Sequence, residues 1–304
     1  MGDYVIRGTA ADGQILAFAC TTREMTEEAR VRHGLSNVAT AALGRAMAGV
    51  AMMGAQLKDE GETISIQIQG NGPLQGLAAV SDGAGHVRGY VENPDVQLPL
   101  REDGKLDVAR AVGLGVMNVV KDLGLREPYI GSTHLVSSEI AEDLAYYYAA
   151  SEQVPCAVAL GVLLYPDLTV WQAGGYMIQL LPGCSEETAI LLEERVKAFP
   201  QLTTFLAEGH TPEEVLQSIL GDMGLEIMAR QPVCFKCNCN RERVGAALMS
   251  IGKKDLQSLI DEGEPVEMSC HMCGEKYQFS IDEMKNMMTK LENTTAREDL
   301  PEEE

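Results

Sequence analysis

Basic residues are scarce in this chain of 304 residues. Lys and Arg together number 24 against 45 Asp and Glu, which gives a formal net charge of -21 at pH 7. A protein with this excess of negative charge is repelled by phosphate backbones and by anionic lipid headgroups. The composition therefore argues against nucleic acid and against a membrane surface as partners.

Long hydrophobic runs are also lacking. The best candidate for a membrane span, residues 38–57, contains Arg45 and consists largely of Ala, Gly and Met. Because an arginine near the middle of a span is costly in a bilayer, this segment is predicted to be a helix packed inside a domain. The first residues lack the basic start and apolar core of a signal peptide, so we expect a cytoplasmic protein whose thiols are reduced.

Length and composition predict a globular protein with more than one domain or with an appended module. Hydrophobic residues make up 45% of the chain, and 304 residues exceed what one core usually serves. Strict alternation at residues 62–69 indicates a half-buried strand, and Gly70 to Pro73 indicate a turn. Further strands are predicted at 74–80, 86–91, 158–165 and 169–180, and helices at 38–57 and 139–151. These elements predict an α+β domain of mixed sheet and helix over residues 1–180.

The sequence pattern changes after residue 180. Ser185 is a good N-cap for a helix at 186–199. Thr211 and Pro212, followed by two glutamates, open another helix that should end at Leu220. We expect no strand here and interpret residues 181–232 as a helical linker.

The last part of the chain is rich in cysteine. Five of the eight cysteines lie there: Cys234, Cys237, Cys239, Cys270 and Cys273. Two close groups separated by a short insert are typical of a tetrahedral zinc site, and a reducing compartment disfavours a disulfide staple. We therefore predict a small zinc-binding module at residues 233–292, followed by an acidic tail at residues 293–304.

The spacing leaves the ligand set open. Either Cys234 with Cys237 or Cys237 with Cys239 could supply the first pair, and the commoner two-residue gap mildly favours the former. His271 is a weaker candidate ligand. An iron–sulfur cluster uses the same ligand type. Ordinary buried thiols are the alternative without a metal, although so many cysteines in so short a stretch are far above average usage.

Several segments match one protein family in the same order along the chain. They are VRHGLSNVATAALGR at 31–45, GNGPLQG at 70–76, VVKDLGLREPY at 119–129, SEQVP at 151–155, AGGYMIQLLPG at 173–183, TPEEVLQSILG at 211–221, CNC at 237–239 and CHMCGEKYQF at 270–279. Together they resemble the bacterial redox-regulated heat-shock chaperones, the HslO family, and the last two resemble its redox-switch domain. The resemblance covers nearly the whole chain.

The resemblance also selects among the cysteines. The family pattern is C-x-C followed by C-x-x-C, which implies that Cys237, Cys239, Cys270 and Cys273 hold one zinc ion, Zn(2+), per chain. It further implies redox-active disulfides Cys237–Cys239 and Cys270–Cys273 after oxidation, and near neighbours also have the highest effective concentration for such bonds. Cys234 departs from the family pattern.

The function implied by the resemblance is that of an ATP-independent chaperone, or holdase. It would bind unfolding or oxidatively damaged client proteins under oxidative stress and pass them to ATP-driven refolding chaperones. It would be inactive when reduced and zinc-bound, activated by disulfide formation and zinc release, and a homodimer when active. No catalytic residue is implied.

Two enzymatic alternatives use the same residues. A thiol–disulfide oxidoreductase could use Cys270 and Cys273, but the βαβ setting of such a motif is missing. An enzyme with a purely structural zinc module would need a catalytic set elsewhere, and the five histidines form no ligand-spaced pair. Turnover in insulin reduction would identify the oxidoreductase, whereas stoichiometric suppression of client aggregation would identify the chaperone.

Overall fold

The chain divides into two compact units. The structure is a computed structural model that describes residues 2–298, with the side chains of residues 2–291. Unit 1 is Met1–Lys236 and unit 2 is Cys237–Glu304. Each unit has a hydrophobic core of its own.

Unit 1 contains two sheets. The strands of sheet A are β1 (Tyr4–Ala10), β2 (Ile15–Thr21), β8 (Cys156–Leu164), β9 (Val170–Leu180) and β10 (Glu226–Pro232), in the order β10-β1-β2-β9-β8. The strands of sheet B are β3 (Thr63–Gly70), β4 (Gly76–Asp82), β5 (His86–Val91), β6 (Gly115–Asp122), β7 (Tyr129–His134) and β11 (Cys234–Phe235), in the order β11-β5-β4-β3-β6-β7. Neighbouring strands are antiparallel, except that β11 runs parallel to β5.

A helix of small residues contacts strands of both sheets. This helix, α2 (Asn37–Gly54), has 16 of its 18 residues buried. Small side chains allow that close approach: a Cβ at Gly44 would lie 2.7 Å from atoms of Thr26 and of Val162. The predicted buried helix is therefore confirmed. Within residues 2–298, no helix is long and apolar enough to cross a membrane.

The remaining helices of unit 1 before residue 181 are short. They are α1 (Arg23–His33), α3 (Val108–Val112) and α4 (Ala141–Tyr147). The helix predicted at 139–151 corresponds to α4 and to the π-helical turn Tyr148–Glu152 that follows it. The predicted strands correspond to β3, β4, β5, β8 and β9, whereas β1, β2, β6 and β7 were not predicted.

Three helices between residues 181 and 225 pack against sheet A. They are α5 (Glu186–Ala198), α6 (Leu202–Ala207) and α7 (Pro212–Leu220), and the predicted N-caps Ser185 and Thr211 both accept main-chain hydrogen bonds. Seven side chains of these helices are buried in one cluster with sheet A: Leu192, Leu202, Leu206, Val215, Leu216, Ile219 and Leu220. The helical character predicted for this segment is confirmed.

The expectation of no strand after residue 180 is wrong. β10 and β11 lie within the residues following the three helices, and β10 adds to the edge of sheet A beside β1. Its sequence, EIMARQP, does not alternate between apolar and polar residues, so periodicity could not reveal it. The partition of unit 1 into a core domain at 1–180 and a linker at 181–232 stays a prediction.

Unit 2 is a small α+β module. It contains α8 (Arg241–Met249), α9 (Lys253–Glu262), the hairpin of β12 (Val266–Ser269) and β13 (Lys276–Phe279), and α10 (Ile281–Glu298). Its buried apolar core consists of Val244, Leu248, Leu256, Phe279 and Met284.

The last helix of unit 2 extends past residue 292, and the division into module and tail stays a prediction. The hydroxyl of Ser280 accepts the N–H of Glu283 at the start of α10. The helix continues to Glu298 and therefore includes the first six residues of the predicted tail at 293–304. Residues 299–304 lie outside the described residues. The α+β class, with a small cysteine-rich C-terminal unit, is confirmed.

Candidate metal centre

Two thiols of unit 2 lie in the turn between β12 and β13. The N–H of Cys270 donates to the carbonyl of Glu275, and the N–H of Gly274 donates to the carbonyl of Cys270, both at 2.8 Å. Gly274 has a φ of 70°, a left-handed conformation that glycine adopts readily. This hydrogen-bonded turn fixes the separation of Cys270 and Cys273.

The other two thiols, Cys237 and Cys239, immediately precede α8. Asn240 caps that helix, because its side-chain oxygen accepts the N–H of Arg243 at 2.8 Å. The guanidinium of Arg243 in turn donates to the carbonyl of Asn238 at 3.1 Å. The C-N-C segment is thereby attached to the first turn of α8.

The four thiols converge. The sulfur atoms of Cys237, Cys239, Cys270 and Cys273 all lie within 4.8 Å of one another. Cys237 Sγ is 3.9 Å from Cys270 Sγ, and Cys239 Sγ is 3.5 Å from Cys273 Sγ. Tetrahedral zinc with Zn–S bonds of about 2.3 Å requires sulfur–sulfur distances of about 3.8 Å. The four residues can therefore bind a metal ion, and these separations fit that geometry.

The electrostatic environment differs among these thiols. Burial raises the pKa of Cys237 and of Cys273. At Cys239 burial acts in the same direction, but hydrogen bonds with Tyr277 and with the other thiols outweigh it and lower the pKa. Tyr277 Oη lies 3.2 Å from Cys239 Sγ, and this hydrogen bond is the main cause of the raised pKa of Tyr277. The Cys239 pKa is therefore shifted in the opposite direction to those of Cys237 and Cys273.

Two residues that support the centre were not singled out in the sequence. Tyr277 lies on β13, four positions after Cys273. Its hydroxyl contacts Cys239, which is 38 positions earlier in the chain. Arg241 lies with its guanidinium 4.8 Å from the ring centroid of Phe279 and donates to Glu283 at 2.7 Å. Arg241 thus joins the start of α8 to β13 and α10.

Cys234 is not one of these four residues. It belongs to β11 in unit 1, where its side chain is exposed and its N–H donates to the carbonyl of Gly85 at 3.1 Å. The convergent group of four sulfur ligands does not include Cys234 or His271. Of the two cysteine pairs that the spacing left open, the structure brings Cys237 and Cys239 together with the second pair.

The fold and the site define an α+β protein that carries a small module with a four-cysteine metal-binding group. A family model described as Hsp33 protein matches residues 3–280, and the chain belongs to the Hsp33 family. The family resemblance noted in the sequence is thereby confirmed.

Relatives and a solved structure agree with this family. The 33 kDa chaperonin of Lachnoclostridium phytofermentans is 50% identical over 290 residues, which cover 95% of this chain and 99% of the relative. That of Geobacillus kaustophilus is 46% identical over 288 residues, 94% of this chain and 98% of the relative. The crystal structure of the 33 kDa chaperonin of Thermotoga maritima superposes with a TM-score of 0.90 at 39% identity, covering 96% of this chain and all of that one. The family and these names support a chaperone.

Proposed function

We propose that the chain is a redox-regulated, ATP-independent holdase that binds unfolding proteins under oxidative stress. The observation that carries the proposal is the convergence of four thiols in a small unit of an Hsp33-family chain. The holdase is inactive while its thiols are reduced and metal-bound, and it becomes active after they are oxidised. It acts in the cytoplasm as a homodimer, and its clients pass on to ATP-driven refolding chaperones.

The proposed metal is zinc, one ion per chain. Four thiolate ligands suit zinc better than they suit magnesium or calcium, which prefer oxygen ligands. When bound, zinc supplies roughly 10–16 kcal/mol of apparent binding free energy, most of which becomes folding free energy of the module. Cys237 and Cys239 are then tied to Cys270 and Cys273 across the intervening segment 240–269, which includes α8, α9 and β12.

Oxidation removes that long-range connection. In the proposed pairing, Cys237 bonds to Cys239 and Cys270 bonds to Cys273, and each pair of thiolates gives up two electrons to the oxidant as its disulfide forms. With hypochlorous acid, two thiolates and one proton yield the disulfide, chloride and water. Both disulfides are local, so neither replaces the link between the two cysteine groups, and unit 2 loses its main source of stability.

The apolar helix faces of residues 181–232 are the proposed source of client-binding surface. α5, α6 and α7 bury their apolar side chains against sheet A. Undocking of these helices therefore exposes apolar surface on the helices and on the sheet, and such surface binds non-native proteins with little regard to sequence.

The deciding experiment measures three quantities on one sample before and after treatment with hypochlorous acid. They are zinc content, suppression of thermal aggregation of a client such as citrate synthase, and insulin-reduction turnover. We expect zinc to fall from about one per chain to near zero while suppression appears at stoichiometric ratios. Turnover without suppression would instead identify a thiol–disulfide oxidoreductase, and suppression that is equal before and after oxidation would contradict redox control.

The ligand set has its own test in two matched variants. Cys237→Ser removes one of the converging thiols, whereas Cys234→Ser removes the exposed thiol of β11. We expect zinc to be lost in the first and retained in the second. The opposite result would reverse the assignment. Peptide mapping of the oxidised chain tests the disulfides, and a dominant Cys237–Cys270 or Cys234–Cys237 bond would contradict the proposed pairing.

A further inference from the structure

β10 is the least buried strand of sheet A. Six of its seven side chains are exposed, including Ile227 at 45% and Met228 at 63%, and the seventh, Gln231, is half-buried. Apolar burial therefore contributes little to its attachment. What holds β10 is mainly its antiparallel ladder with β1, which runs from the Tyr4–Pro232 pair to the Thr9–Glu226 pair.

Side-chain contacts anchor β10 at its C-terminal end. The guanidinium of Arg230 is 3.6 Å from the ring centroid of Tyr4, and the Gln231 side chain donates to the carbonyl of Gly83 at 2.8 Å. The next residue after the strand, Val233, is buried. A strand with this little burial has a low free energy of local opening.

β1, in contrast, does not depend on β10. It pairs with β2 at seven positions, from Tyr4–Thr21 to Ala10–Ile15. Its side chain Val5 belongs to the core that contains α2, and Ile6 belongs to the core under α7. If β10 leaves, β1 remains a formed strand with an unpaired edge, and such an edge accepts another strand.

We propose that the edge of β1 is a docking surface for an extended, non-native polypeptide segment, which adds as an antiparallel strand, and that β10 occupies this edge until the switch opens. The proposal rests on the holdase function proposed above and names one way in which clients bind. In strand addition, affinity depends on main-chain hydrogen bonds rather than on side chains. This mode of recognition agrees with the exposure of the β10 side chains. A strand docked on this edge of β1 buries almost none of its side chains, so their identity matters little for docking.

Chain connectivity supports the role of β10 as a removable occupant. Its last residue, Pro232, precedes Cys237 by only five positions. When the thiols are oxidised and unit 2 unfolds, the unfolded region adjoins the two-residue strand β11, and β10, the strand of sheet A with the least buried side chains, lies directly before it. Local opening is therefore expected to extend to β10 before it reaches the well-buried helices α5, α6 and α7.

Two variants distinguish the removal of β10 from the edge of β1 from the obstruction of that edge. In the double variant Ala229→Pro/Arg230→Pro, one of the two prolines removes a ladder N–H, since neighbouring residues of a strand donate to opposite edges. Gly8→Ala acts on β1 itself. Its Cβ would lie 2.8 Å from the carbonyl oxygen of Glu226, and its other near neighbours are side-chain atoms of Leu225 and Ile227. Gly8→Ala therefore obstructs a strand at this edge.

The first experiment uses a fluorescein-labelled peptide of residues 225–232 and reduced, metal-loaded chains. We expect the peptide to bind the double-proline variant at least about tenfold more tightly than the unmodified chain, because docked β10 lowers the fraction of chains with a free edge. Adding Gly8→Ala to the double variant should abolish the gain. Far-UV circular dichroism and Trp171 fluorescence verify that unit 1 is folded. Equal affinities of the double and triple variants would overturn the proposal.

The second experiment needs no variant. Two peptides of residues 225–232 carry N-methyl groups on alternate residues, in opposite frames that each shift by one residue at Met228, where the ladder of β10 with β1 has a register shift. Both are titrated into the oxidised chain. Strand addition predicts that one frame abolishes binding and that the other leaves it nearly intact. Equal behaviour of both frames would overturn the proposal. Loss of binding as the oxidised chain dimerises at higher concentration would assign the edge to a second copy and would also overturn it.

Aggregation suppression measured on the same oxidised sample separates the two hypotheses. If the sample suppresses aggregation and neither peptide frame matters, the docking surface is wrong and the holdase function stands. If it does not suppress aggregation, the proposed function is wrong. The peptide result on the reduced variants then still decides whether the edge of β1 accepts a strand.

Discussion

Removal of the metal from the reduced chain with a chelator tests how the two units depend on it. The apolar core of unit 2, from residue 237 to residue 291, contains five buried side chains. The shorter stretch from residue 186 to residue 220, which holds α5, α6 and α7, buries seven against sheet A. The apolar anchoring available per residue is therefore greater in these three helices than in unit 2.

The free energies point to selective unfolding. A whole domain is held by about 5–15 kcal/mol, and structural zinc contributes roughly 10–16 kcal/mol, so unit 2 has little or no stability without it. Each buried side chain of α5, α6 and α7 contributes about 1.5–3 kcal/mol that does not depend on the metal. We therefore expect the chelated chain to lose unit 2 and to retain these helices at room temperature, and to lose them only on further heating.

Hydrogen exchange with mass spectrometry measures this directly. Amide protection in α8, α9 and β13 should fall at least about a thousandfold on chelation, since a loss of only about 4 kcal/mol corresponds to that factor. Protection in α7 should change little, and re-addition of zinc should restore unit 2. Retained protection throughout unit 2 would refute the metal's stabilising role. Equal loss in unit 2 and α7 at room temperature would refute the argument from buried side chains.

Two further predictions concern unit 1. Leu216→Ala, at a fully buried position of α7, should lower the free energy of unfolding by about 2–5 kcal/mol and let the reduced chain suppress aggregation in part. Ile190→Ala, at a position that is 52% exposed, should not. Equal behaviour of the two variants would exclude helix undocking as the source of client-binding surface. Burial raises the pKa of Asp3 to about 6, although its carboxylate accepts the N–H of Met25 at 2.7 Å. Because this folded-state pKa lies above the unfolded value of 3.8, the group stabilises unit 1 fully below about pH 4 and loses that contribution as the pH rises through 6. Asp3→Asn should remove roughly 3 kcal/mol of this pH dependence in urea unfolding followed by Trp171 fluorescence, and an unchanged dependence would contradict the assignment.

The sequence predicted those helices and strands whose burial pattern is visible in neighbouring residues. β3 was predicted because alternating side chains face a core and solvent, and α2 because its small residues pack closely on every side. β10 lacks both signals, since almost all its side chains are exposed and it is held by main-chain hydrogen bonds to β1, which lies at the opposite end of unit 1 in the sequence. Main-chain pairing with a distant partner leaves no periodicity in the sequence.

The candidate site, too, could be predicted only in part from the sequence. Spacing predicted a metal-binding group but left two choices for the first cysteine pair, and only the family resemblance selected Cys237 with Cys239. The residues around the thiols could not be predicted. The contact of Tyr277 with Cys239 and the contacts of Arg241 with Phe279 arise from the tertiary arrangement of α8, β13 and α10.

The order of elements along the chain makes the proposed response graded. The thiols lie at 237–273, the weakly held β10 ends at Pro232, and the well-buried α7 ends at Leu220. β10, the nearer of these two elements to the thiols, is therefore also the less buried. Oxidation removes the stability of the first region, and local opening spreads next to the edge of β1. Only a further input, such as heat, overcomes the burial of α5, α6 and α7. A mild oxidant alone should thus expose a main-chain edge, whereas an oxidant with heat should also expose apolar surface, so that the two conditions favour different clients.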